Sequence, residues 1–163
     1  MLERSIDAIA GGPFPAVFQH GDPGAWNLLV GEDGRVAFLD WEAAETHGVP
    51  LWDTFHLARS YAVIAGRRSG ERDAMRAIER VLFAETPVNA MIAGVVERYR
   101  ERLGIAPALV EPLFHLSWVH RALKEATRLA PARLDSGHYI SLARRGIALA
   151  GTPPLRRLLG GAG

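Results

Sequence analysis

Residues 18–42 read FQHGDPGAWNLLVGEDGRVAFLDWE, and this stretch decides the fold. An apolar segment, Ala16-Val17-Phe18, leads into His20-Gly21-Asp22. Asn27 follows Asp22 by five residues and opens a second apolar run, Leu28-Leu29-Val30. The turn-forming Gly31-Glu32-Asp33-Gly34 separates that run from a third, which ends on Asp40. Short strand-like runs bounded by Gly, Asp and Pro predict strand, loop, strand, hairpin, strand. That order sets Asp22 and Asn27 at the two ends of one loop, and the returning hairpin carries Asp40 to the same edge.

These residue types suit one kind of chemistry. Mg²⁺ is a hard ion that takes oxygen ligands, commonly one or two carboxylates completed by substrate phosphates and water. The Asp40 carboxylate and the Asn27 amide oxygen fit that demand. A carboxylate held off the metal, Asp22, can accept the proton of a substrate hydroxyl as its oxygen attacks a γ-phosphate. The Asp-x4-Asn spacing, with a second Asp closing a later strand, is the arrangement of phosphoryl-transfer sites.

His20-Gly21-Asp22-x4-Asn27, followed by Leu39-Asp40-Trp41-Glu42, resembles the aminoglycoside phosphotransferase and choline/homoserine kinase-like family, whose fold is protein-kinase-like. The resemblance implies Asp22 as catalytic base and Asn27 and Asp40 as Mg²⁺ ligands, with ATP or GTP as phosphoryl donor. It extends over Gly48-Val49-Pro50-Leu51-Trp52-Asp53-Thr54-Phe55, similar to the family's Gly-Asp-Pro-x-x-Asp-Leu-Ala segment. Asp53 matches the second Asp of that segment, which implies a brace for the catalytic loop. Val49 stands where an acidic residue is common, Thr54-Phe55 replaces a small apolar pair, and Pro23-Gly24-Ala25-Trp26 fills the loop unusually. His20 reads as a structural residue hydrogen-bonding the loop and Trp41 as a core aromatic. Glu42 and Glu45 are candidate contacts to a cationic substrate.

The whole chain of 163 residues fits one domain with length enough for a core. Hydrophobic residues at 48% and charged residues at 23% give an ordinary globular composition. A net charge of +1 offers no bulk attraction to nucleic acid. Without cysteine there are no disulfides or thiolate sites, and the first residues lack the pattern of a signal peptide. No apolar run approaches a membrane span. The reading is of a cytoplasmic protein with neither nucleic acid nor membrane as partner.

Around the strand section the periodicity is helical. Residues 2–10 read as the end of a helix stopped by Gly11-Gly12-Pro13. After Glu42, AAETHGVP reads as a polar, flexible piece. Leu51, Phe55, Ala58, Ala62 and Ala65 share one helical face, with Gly66 as the stop. Residues 71–84 form an amphipathic helix with Met75, Ile78 and Leu82 inward. Thr86-Pro87 begins a helix from Val88 to Leu103 with Met91, Ile92, Val95, Val96 and Tyr99 inward, and Gly104 closes it. Pro107 opens the longest stretch, to about Ala130, with Pro112 as a restart. Asp135-Ser136 caps a helix from Tyr139 to Ala150, Pro153-Pro154 starts a short last turn, and GGAG is a frayed tail. The fold class is therefore α+β, mainly α: a small β-hairpin section (16–42) and a bundle of five or six helices (50–159), as in a kinase-like C-terminal lobe.

No Gly-rich phosphate loop precedes Phe14, and Lys124, the sole lysine, comes too late to pair the α/β-phosphates. The chain thus reads as a catalytic lobe alone, a truncated or split gene product. Three functions follow. The first is a Mg²⁺-dependent phosphotransferase lobe acting on a small hydroxyl substrate, with a separate N-lobe chain or self-association completing it. The second is an inactive remnant serving as a binding module. The third is a plain helical interaction domain.

Overall fold

Apolar residues at helical spacing bury only if helices pack on helices, and that requirement organises the chain from Trp52 onward. The structure is a computed structural model that describes residues 2–10 and 13–160. The expected stop at Gly11-Gly12 and the tail at 161–163 lie outside the described residues.

Helix α1 (Leu2–Ala10) is followed by strand β1 (Val17–Gln19), the hairpin β2 (Leu28–Val30) and β3 (Val36–Phe38), and strand β4 (Glu45–Gly48). Six helices follow among the described residues: α2 (Trp52–Arg68), α3 (Ala74–Leu82), α4 (Pro87–Leu103), α5 (Val110–Ala126), α6 (His138–Ala148) and α7 (Pro153–Leu158). The fold is α+β and mainly α, as the periodicity predicts. Phe55 and Ala62 of α2, Ile78 and Leu82 of α3, Val96 of α4, Leu113, Phe114 and Trp118 of α5, and Leu142 of α6 form one buried cluster. The Phe114 ring meets those of Phe55, Phe83 and Trp118 edge-on, a preferred aromatic geometry. No helix among the described residues is long and apolar enough to cross a membrane.

The strand section divides into two antiparallel pairs. β2 and β3 form the expected hairpin, with Leu28 opposite Phe38 and Val30 opposite Val36. β1 does not join them. It pairs with β4, Val17 opposite Gly48 and Gln19 opposite Glu45, so part of the segment read as flexible is a strand. Gly48 makes that pairing possible, because a Cβ there would collide with the Gln19 side chain. The Gln19 Oε1 in turn accepts the Val49 N–H at 2.9 Å.

Three of the helix readings are corrected by the structure. Gly66 does not stop α2. It lies buried inside the helix, where a side chain would strike Ala77 of α3, and the chain turns at Gly70, φ +88°. Met91 and Val95 of α4 face solvent, while Ile92 and Val96 are buried. Helix α6 is capped not by Asp135-Ser136 but by Glu125 of α5, whose carboxylate accepts the His138 and Tyr139 N–H groups at 2.8 Å each. Thr86 and Gly104 cap α4 as expected, the latter at φ +63°. Pro112 falls in the first turn of α5, where a missing N–H breaks no helical bond.

Candidate functional site

The loop after β1 is held by polar ties rather than by burial. The Asp53 carboxylate, in the first turn of α2, accepts the His20 N–H at 2.6 Å and the Gly21 N–H at 3.1 Å. Burial pushes its pKa up, against the pull of those two donors and of the Arg121 charge. The buried His20 ring is clasped between backbone groups. Its Nε2 lies 2.8 Å from the Leu39 carbonyl oxygen, and its Nδ1 lies 3.3 Å from the Asp22 N–H. That pattern places the ring proton on Nε2. Gly21 is required twice, by its φ of +83° and because a Cβ would collide with the Ala43 carbonyl oxygen.

The same bonds join the two halves of the section. Asn27 donates its Nδ2 to the Asp22 carbonyl oxygen at 3.0 Å, and its own carbonyl oxygen accepts the Leu39 N–H at 2.9 Å. Asp40, the next residue, therefore emerges beside Asn27 despite thirteen residues of separation. Its backbone sits in the left-handed region at φ +61°. This conformation is uncommon outside glycine and easiest for Asp and Asn. The Asp40 carboxylate has no hydrogen bond or ion pair with any described residue.

Asp22 and Asp40 line one cleft of about 550 Å³. Its first wall is the strand section, with Gly21, Trp26, Glu42 and Ala43; its second is α5 with Arg121, Lys124 and Glu125, the turn after it with Arg128, and the start of α6 with Tyr139. Arg121 locks the walls together. It donates to the Gly21 carbonyl oxygen at 2.7 Å and lies 3.8 Å from the Asp22 carboxylate. Beneath Asp22 lies the buried His56, with Nε2 2.9 Å from Asp22 Oδ1 but out of line for a hydrogen bond. Burial, with the Arg121 and Arg59 charges, pushes the His56 pKa down to about 2, so the ring is neutral near pH 7. His138 is held down to about 4 by burial and by Arg59, which donates to its Nε2 at 2.7 Å.

The structure thus brings Asp22 and Asp40 to one cleft and ties Asn27 to Asp22, although Asn27 does not itself line the cavity. His20 and Asp53 lie behind the loop. Glu42 reaches the cleft, whereas Glu45 lines a narrow neighbouring cavity with Gln19, His120 and Lys124. Trp41 is not a core aromatic. It is 45% exposed, with its ring stacked on Phe18 and tilted against His20. Sequence reasoning missed Arg121, His56 and Tyr139. Arg121 stands 100 residues from Gly21, and no local pattern links them.

Among the described residues, no three His, Cys, Asp or Glu side chains are grouped to hold a metal ion. The donors at the Asn27 edge are the uncommitted Asp40 carboxylate and the Asn27 amide oxygen, with Glu42, likewise without a hydrogen bond or ion pair to any described residue, two residues farther on. That hard, incomplete set suits an ion that takes its remaining ligands from phosphates and water.

The model of the phosphotransferase enzyme family, APH, matches residues 2–88. The match spans more than half of the chain and includes Asp22, Asn27, Asp40 and Asp53; the α5 wall of the cleft lies beyond it. No curated protein and no solved structure matches the chain.

Proposed function

The chain belongs to the phosphotransferase enzyme family, and from that we propose that it transfers the γ-phosphoryl group of a nucleoside triphosphate, ATP or GTP, to a hydroxyl of a small molecule. The observation that carries this reading is the pair of carboxylates, Asp22 and Asp40, opening on one cleft beside an amide tied to the first.

In this reading Asp22 orients the acceptor hydroxyl and takes its proton as the oxygen attacks. Asn27 and Asp40 would hold Mg²⁺, which when bound neutralises charge on the phosphates. His20 and Asp53 act through the loop. By fixing the His20, Gly21 and Asp22 backbone they keep the base in place, and placement supplies much of the rate gain in such reactions. Arg121 holds the loop from the opposite wall. A cytoplasmic location fits the need for nucleotide. The apolar edge formed by Phe18, Phe38 and Trp41 is where a separate sheet-bearing chain, or a second copy, would associate.

The test is a thermal-shift titration with Mg²⁺ and ATP or GTP. A ligand bound only by the folded state at a hundred times its Kd stabilises it by about 2.7 kcal/mol. The expected result is a rise in Tm that Asp40→Ala removes. No shift at millimolar nucleotide, or a shift untouched by Asp40→Ala, would overturn the reading.

A further inference from the structure

We propose that the wall of the cleft formed by α5 and the turn after it selects a phosphoryl acceptor carrying an anionic group, a carboxylate or a phosphate, and that Lys124 and Arg128 bind it. This rests on the phosphotransferase reading above and names the substrate class of that same cleft.

The charges around the cavity divide by wall. On the strand side are Asp22, Asp40 and Glu42; on the helical side are Arg121, Lys124, Glu125 and Arg128. Positions 121 and 124 follow the three-residue spacing that places side chains on one helical face, and Arg128, in the turn just after α5 ends at Ala126, lines the same cavity. Commitments then decide what a ligand meets. Glu125 is the only acid on the helical wall, and both its carboxylate oxygens are occupied by the backbone N–H groups that start α6. Arg121 is bonded to Gly21 and rests over the Tyr139 ring at 5.8 Å. The side chains of Lys124 and Arg128 form no hydrogen bond or ion pair with any described residue. The helical wall therefore offers two uncommitted cations and no uncommitted anion.

A cationic acceptor would be repelled there, and its counter-charges, Asp22, Asp40 and Glu42, all stand on the far wall, where the first two serve as base and metal ligand in the reading above. An anionic acceptor is drawn to the helical wall and away from Asp40. That arrangement separates it from the donor phosphates and turns its hydroxyl toward Asp22. The substrate expectation attached to Glu42 and Glu45 is replaced by its opposite in charge.

The experiment titrates the full chain with probes on one carbon skeleton: gluconate, glucose 6-phosphate, glucose and glucosamine. Binding is followed by ¹H–¹⁵N NMR at the amides of 121–129 and the Trp26 indole. At least one anionic probe is expected to shift these signals, with glucose and glucosamine at least tenfold weaker. The double variant Lys124→Gln/Arg128→Gln is expected to weaken the anionic probe at least tenfold with an unchanged circular dichroism spectrum. The inference is overturned if neither anionic probe binds, if glucosamine binds as tightly, or if the double variant keeps the binding. A parallel titration with Mg–ATP separates the other source of phosphate. Shifts at 121–129 caused by Mg–ATP and abolished in the double variant would give these cations to the donor and overturn the inference. Gluconate binding that persists without any Mg–ATP binding would count against the phosphotransferase reading and not against the anion site.

Discussion

The bundle and the strand section solve the same problem in opposite ways. In the bundle, large apolar side chains are withdrawn almost completely: Phe114, Leu113 and Ile78 are 0% exposed. In the strand section, Phe18, Leu29, Val30 and Val36 are all more than half exposed. Strands this short cannot bury both faces, and nothing in the described residues covers the outer one. What fixes the section is a set of directed bonds from the bundle: Asp53 to the His20 and Gly21 N–H groups, Arg121 to Gly21, and the Ser60 hydroxyl accepting the Ala25 N–H at 2.9 Å. Burial carries stability, and directed bonds carry site geometry. Substitutions in the two regions should separate those properties.

The largest effect is expected inside the bundle. Phe114→Ala removes a ring at the centre of three aromatic contacts and should cost about 3–5 kcal/mol in denaturant unfolding. If the loss is below about 1 kcal/mol, the contrast fails at its stronger end. Asp53→Ala comes next. It strands the His20 and Gly21 N–H groups and should cost about 1–3 kcal/mol. Unlike Phe114→Ala, it should also weaken the Mg–nucleotide response measured well below Tm, because the loop holding Asp22 is slackened. Equal loss of binding in the two variants would erase the distinction.

Titration sharpens the comparison at the boundary of the two regions. His56 has a depressed folded-state pKa of about 2, against about 6.5 in the unfolded chain. Between those values the unfolded state binds the extra proton. Stability is therefore full above pH 6.5 and is lost as pH falls toward 2, at up to about 1.4 kcal/mol per pH unit for this one group. His138, with its pKa near 4, adds a loss of the same sign that ends near pH 4. Unfolding measured from pH 7 to 4 should show this slope, and His56→Gln should flatten it by as much as one proton's worth. An unchanged slope in the variant would mean that the ring charges freely in the folded state. The smallest effect is expected on the exposed edge. Leu29→Thr keeps a strand-favouring residue on the hairpin and should change stability by no more than about 0.5 kcal/mol.

The spacing of polar residues between strand-like runs made the hairpin legible, and with it the arrival of Asp40 next to Asn27. Local capping chemistry made Thr86, Pro87 and Gly104 legible as well. What could not be read depends on partners distant in the chain. The Glu-Thr-His-Gly of β4 has no apolar alternation, and it becomes a strand only because Gln19 and Gly48 fit each other. Gly66 and Gly70 are the same letter, yet one is a close helix contact and the other a left-handed turn. Glu125 caps a helix that starts thirteen residues later, around a 3₁₀ turn over Pro131–Ser136 that no local signal announces. Trp41 has the composition of a core residue, but its position leaves one face to solvent.

The central claim is that Asn27 and Asp40 together hold a divalent ion at the edge where Asp22 stands. Paramagnetic NMR with Mn²⁺ and nucleotide tests it most directly. The expected result is loss of the Asn27 side-chain amide signal and of the backbone signals around 22–27 and 39–42, with the α7 signals intact and the lost signals restored by Asp40→Ala. Broadening centred elsewhere, or broadening at that edge that survives Asp40→Ala, would contradict it.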